Sequence, residues 1–146
     1  MRKLTAAVFQ SLDGVMQAPG GPEEDPTGGF PYGGWTAPFW DEGMSGPMGK
    51  LFESDFDLLL GRRTYDIFAA YWPYNQDVPI GAKFQSIRKY VVTSSDEPLE
   101  WEGSEALHGA PAQSVAALKS GNGPDLLIQG SSELYPPCLP PAFSTG

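Results

Sequence analysis

The stretch Leu58-Leu59-Leu60-Gly61-Arg62-Arg63-Thr64-Tyr65-Asp66-Ile67-Phe68 constrains the fold more than any other part of the chain. Asp57 to Leu60 is an apolar run of strand length, as a buried strand requires. Gly61 permits a tight turn. Thr64 is expected to cap a following helix by accepting from a free backbone N–H of the first turn. Ile67, Phe68 and Tyr71 then supply a short apolar helical face. The pattern reads strand, Gly turn, helix start, with two arginines at the turn. A helix start offers unpaired N–H donors and positive partial charge, and arginine adds a planar fork matched to phosphate. The stretch is therefore a candidate phosphate site, weighed evenly against two arginines solvating an ordinary turn.

The charge balance sharpens that candidate. The 146 residues carry 18 acidic and 9 basic side chains, a net charge of -9. Such a chain lacks the basic footprint that nucleic acid or an anionic membrane demands, and its few cations stand out. With Cys138 as the sole cysteine and His108 as the sole histidine, intrachain disulfides, cysteine clusters and multi-histidine metal sites are ruled out. Leu4 to Phe9 is too short and mixed for a signal peptide, and no run reaches membrane-spanning length. The expected location is the cytoplasm.

Further strand ends repeat the pattern. Leu4 to Gln10 reads as a first strand, running into Ser11-Leu12-Asp13-Gly14. Asp13 follows a strand end, where ligands gather in open α/β sheets, although it can equally serve only its own turn. Lys89 to Thr93 is another strand, ending in Ser94-Ser95; these hydroxyls can hold phosphate oxygens or cap a turn. Asp125 to Gln129 runs into Gly130-Ser131-Ser132-Glu133-Leu134-Tyr135, a second strand–Gly–helix start. There Gly130 lets the backbone come close, and Ser131 or Ser132 can cap and donate. Three strand ends of this kind could surround one dinucleotide.

Between these strands the reading is coarser. Ala18 to Pro38 is too rich in Gly and Pro for a regular element. Its aromatics and their neighbours (Phe30, Tyr32, Trp35, Phe39, Trp40) form either a local minicore or a platform for a flat ligand. Met44, Met48, Leu51 and Phe52 share one face of a helix expected over about residues 46–54, with Pro47 in its first turn and Asp41-Glu42 before it. Ile80, Phe84 and Ile87 mark a short helix, and Val115 and Leu118 another, stopped by Gly121-Asn122-Gly123. Residues 98–109 read as irregular, with Trp101 an anchor and His108 a loop residue.

In this order Ser11-Leu12-Asp13-Gly14, Leu60-Gly61-Arg62-Arg63-Thr64-Tyr65, Val92-Thr93-Ser94-Ser95 and Ile128-Gln129-Gly130-Ser131-Ser132-Glu133-Leu134-Tyr135 resemble the dihydrofolate reductase-like superfamily. The resemblance is to its bacterial branch related to the C-terminal reductase domain of riboflavin-pathway deaminase–reductases, and it spans nearly the whole chain to Tyr135. It implies a three-layer α/β/α fold with a mostly parallel central sheet, a domain over residues 1–135, and an atypical Pro-rich tail over 136–146. It implies NADPH held by Gly61, Arg62, Arg63, Thr64, Ser94, Ser95, Gly130, Ser131 and Ser132. The activity implied is hydride transfer to a small pyrimidine- or pterin-like molecule, similar to 5-amino-6-(5-phosphoribosylamino)uracil reductase, by a homodimer. The alternative is a non-catalytic nucleotide-binding protein of the same fold. Gln129-Gly130 stands where dihydrofolate reductases carry Gly-Gly, which favours the riboflavin-type branch. No acid matches the dihydrofolate reductase proton donor unambiguously: Asp41 and Glu42 lie nearest, at the start of the helix, and Asp13 and Asp41 are the catalytic candidates. Pro136-Pro137 is expected to forbid the helix that relatives place there, and the final strands of the sheet are expected to be missing. Cys138 to Gly146 can be encoded so that a neighbouring frame reads Pro-Ala-Ala-Gly-Leu-Leu-Asp-Arg, so the tail is expected to be a frame-shifted ending.

Overall fold

Leu58, Leu59 and Leu60 are all fully buried, and a strand that hides consecutive side chains must be covered on both faces. The computed structural model, which describes residues 1–138, supplies both covers. Five strands form one sheet in the order β1-β5-β2-β3-β4: β1 (Leu4–Ala7), β2 (Phe56–Gly61), β3 (Lys89–Val92), β4 (Ser104–Leu107) and β5 (Asp125–Gln129). Every pairing is parallel. The helices are α1 (Glu42–Glu53), α2 (Arg62–Tyr71), α3 (Pro79–Ser86), α4 (Pro111–Ser120) and a single turn, α5 (Tyr135–Cys138). No helix among the described residues is long and apolar enough to cross a membrane.

Two compact units are described separately: Met1–Ala7 with the chain from Asp55 onward, and Val8–Ser54. In the first, the register sorts the side chains. Leu59 is level with Ile128 and Tyr90, and these share a face with Leu126. Against that face pack Val115 and Leu118 of α4 and Leu134 beyond β5. The opposite face presents Phe56, Leu58, Leu60 and Val91. Lys83 of α3 lies over the Phe56 ring, and the buried Phe84 stacks on Phe68 of α2. Helices on both faces make three layers.

Polar residues are buried at the amino ends of the strands. Arg2 pairs with Asp57, donates to Pro124 O and lies over the Tyr90 ring. Lys89 is fully buried; its Nζ donates to Gln85 O (3.0 Å) and Glu102 O (2.9 Å) and faces the Trp101 ring. Burial pushes the Lys89 ammonium down to about 8, against the opposing charge of Glu102.

The second unit is mostly loop, as its composition requires. Gln17 donates to Asp25 O and Thr27 O, Trp35 donates to Gln17 O, and Thr36 donates to Pro19 O. Gly33 is tied to this arrangement, because a Cβ there would meet the carbonyls of Gly21 and Pro22. Phe30 packs edge-on against Tyr32, while Tyr32, Phe39 and Trp40 stay largely exposed.

Several expectations need correction. Helix α1 begins at Glu42, four residues early, because Asp41 caps it, and Pro47 therefore lies inside it. Helix α2 starts at Arg62 directly after the strand, so its cap is Gly61 in an extended conformation (φ -77°) and not Thr64. Residues 104–107, within the stretch expected to be irregular, form strand β4, whose Ser-Glu-Ala-Leu sequence lacks β-branched residues and relies on pairing with β3. Pro136 and Pro137 do permit the turn of α5, since the first positions of a helix have no N–H bond for proline to lose. The frame-shifted ending, beyond Cys138, lies outside the described residues.

Candidate functional site

Because β2 and β5 are adjacent and parallel, both release the chain at one end of the sheet, and their Gly turns meet there. The Gly61 N–H donates to Ser131 Oγ at 2.8 Å. Gly130 takes φ +63°, and a Cβ on it would lie 3.4 Å from Thr64 Cγ2 and 3.6 Å from Thr64 Oγ1. The second turn thus rests directly on the first turn of α2. Ser131 also adopts the left-handed region (φ 55°, ψ 54°), which costs a non-glycine residue about 1 kcal/mol. Its bond to Gly61 offsets part of that cost. Ser131 or Ser132 could cap the following helical turn; neither does so, and the Ser131 hydroxyl accepts across the sheet from Gly61.

Tyr135 fixes the same turn from behind. Its hydroxyl donates to Gly130 O at 2.6 Å, and burial pushes the phenol up to about 12, so it remains a donor. The sequence offered Tyr135 only as part of a motif; the hydrogen bond to Gly130 gives it a task.

The other candidates fall around this centre. Arg62 and Arg63 open α2, whose first turn has no side-chain cap, leaving its N-terminal dipole directed at the same end of the sheet. Arg62 donates from Nε to Asp66 Oδ1 (2.8 Å) and from Nη1 to Glu97 O (3.2 Å), and pairs with Glu97 Oε2 (3.4 Å). The Asp66 hydrogen bond raises its pKa above the ordinary guanidinium value. Arg63 is exposed. Ser94 and Ser95 follow β3, the neighbour of β2. Ser95 accepts from the Glu97 N–H (3.1 Å), and its own N–H donates to Thr93 Oγ1 (3.0 Å), so this hydroxyl serves a turn. Ser132 is exposed at the start of a short 3-10 turn.

Asp13 and Asp41 belong to the second unit. Asp13 accepts from the Ser11 hydroxyl, which in turn accepts from the Val15 N–H. Asp41 Oδ1 accepts from the Met44 N–H at 3.0 Å as the cap of α1. Both carboxylates are exposed and locally engaged.

One residue was missed as a site candidate. Gln129, the last residue of β5, is 8 % exposed, and its buried Oε1 has no partner among the described residues. An orphan acceptor costs roughly 1–3 kcal/mol, so its presence beside the Gly130 turn needs a reason. The available signal was a polar residue closing an otherwise apolar strand. The second orphan, Ser104 Oγ, lies at the amino end of β4, away from these turns.

These features fit a phosphate-bearing group. Gly130 lets a backbone approach closely, and α2 presents an uncapped start. No group of three or more His, Cys, Asp or Glu among the described residues could hold a metal ion. A model of the RibD C-terminal domain family matches residues 2–136. No curated protein matches the chain.

Proposed function

The chain belongs to the RibD C-terminal domain family, the reductase domain of riboflavin-biosynthesis deaminase–reductases, and from that membership we propose an NADPH-dependent reductase of a pyrimidine- or pterin-like substrate. NADPH would supply hydride to a C=N or C=O bond. The chain's part is to hold and orient. Gly61 to Thr64 and Gly130 to Ser132 would receive the diphosphate on backbone donors and hydroxyls. Arg62, Arg63, Ser94 and Ser95 would take the phosphate on the adenosine ribose. Gln129 would offer its carbonyl to an N–H edge of a heterocycle. Asp13 and Asp41 are the acids proposed for proton delivery.

The observation that carries this reading is the meeting of two Gly turns distant in sequence, through Gly61 N–H to Ser131 Oγ and Gly130 against Thr64. Quenching of the four tryptophans by NADPH tests it, followed by turnover with a phosphoribosylaminouracil. Absence of NADPH binding at millimolar concentration would remove the reading. The rival, a nucleotide binder without turnover, draws on the local engagement of both acids. Binding without turnover would favour it. For the assembly we propose a homodimer that covers the outer edge of β1, which pairs only with β5 among the described residues.

A further inference from the structure

Arg62 is held by three acceptors of different firmness. Asp66 is one helical turn away, on Nε at 2.8 Å. The Glu97 carbonyl is on Nη1 at 3.2 Å, and the Glu97 carboxylate reaches Nη2 at only 3.4 Å. The backbone of Glu97 is well determined. Its N–H is bonded by Ser95 Oγ, the Ser95 N–H by Thr93 Oγ1, and Pro98 after it restricts its conformation to extended forms. Its side chain is not so held, being 77 % exposed against 24 % for Arg62. A firm carbonyl contact thus sits beside a loose carboxylate on the same guanidinium.

That guanidinium is where the cofactor reading sets the adenosine phosphate, and a phosphate needs the Nη edge of the fork. We propose that the Glu97 carboxylate is an internal competitor for that phosphate, and so sets how strongly the chain prefers a phosphorylated adenosine ribose over a plain one. The proposal rests on the dinucleotide reading above. The phosphate must displace the carboxylate from Nη2 and then sit near its negative charge, with Asp66 adding to the repulsion. The net charge of -9 offers little compensation. The carbonyl contact, being backbone, persists when the carboxylate swings away and keeps Arg62 aimed.

Glu97→Gln tests this, because it removes the charge at an exposed position and keeps the backbone contact. Affinities for adenosine 2′,5′-bisphosphate and for adenosine 5′-monophosphate are measured on wild type and variant by calorimetry. The expected result is about two- to fivefold tighter bisphosphate binding, the scale of one exposed charge interaction, with the monophosphate unchanged. The gain should shrink in high salt. No change, or an equal change for both ligands, overturns the role of Glu97 and leaves the dinucleotide reading standing. If neither nucleotide binds either protein, the dinucleotide reading falls, and this proposal with it.

Discussion

Gly130 is the residue on which the site turns, and its replacement has two separable costs. Gly130→Ala would force a side chain into the left-handed region and against Thr64. We expect a loss of about 1–2 kcal/mol in urea unfolding together with weaker NADPH binding. An unchanged midpoint would contradict the strain. Two other residues should shape the alkaline stability profile. Lys89 has its folded pKa depressed to about 8 from 10.5. Between these values the unfolded chain binds more protons than the folded one, so stability should rise as pH rises through that window. Below about 8 both states hold the proton and the contribution is flat. Tyr135 has the opposite sign, its folded pKa being raised to about 12 from 10.0, so its stabilisation is complete below pH 10 and is lost as pH rises towards 12. Unfolding followed from pH 7 to 11 should therefore show a rise and then a fall; Lys89→Met should abolish the rise, and Tyr135→Phe should soften the fall. The importance of Gly130 was legible because a Gly after an apolar strand has few other uses. The burial of Lys89 and Arg2 was not, since their partners (Gln85, Glu102 and Trp101; Asp57 and Pro124) are set by tertiary pairing that no local pattern announces.

Elements with strong internal patterns were legible, and those that depend on neighbours were not. Strand β2 declared itself through the apolar run Leu58, Leu59 and Leu60, and β5 through Leu126, Leu127 and Ile128. Strand β4 lacks such a run and exists as an addition to β3. Boundaries shifted where a cap was misjudged, as at α1, whose start at Glu42 after the Asp41 cap hides behind the glycines of its first turns. That cap also bears on the proposed proton delivery, because Asp41 is both the cap of α1 and a proposed acid. Asp41→Asn preserves an acceptor for the Met44 N–H and removes the acid; Asp41→Ala removes both. If Asp41 only caps, Asn should be near neutral and Ala should cost about 1 kcal/mol, with turnover following stability. If Asp41 delivers a proton, turnover should collapse in Asn while the melting temperature holds.

At the scale of the whole molecule, the cofactor reading predicts that removing both Arg62 and Arg63 weakens NADPH far more than NADH. A charge-assisted contact is worth about 1.5–3 kcal/mol, hence roughly a tenfold or greater difference in dissociation constants. Equal losses would return both arginines to solvating a turn. The dimer reading predicts twice the monomer mass in light scattering. The order of the sheet also bears on how the chain is made. Strand β5 lies between β1 and β2 although it comes last in sequence among the described strands. While the chain is being synthesised, β1 has nothing to join and β2 keeps one side open until Asp125 to Gln129 has left the ribosome. The apolar row Leu58 to Leu60 is exposed to other nascent chains for that whole interval, and closure of the sheet waits for a contact of long sequence separation. A chain stopped just before Asp125 should accordingly aggregate, and emergence of Asp125 to Gln129, not growth of the first half, should set when this sheet closes.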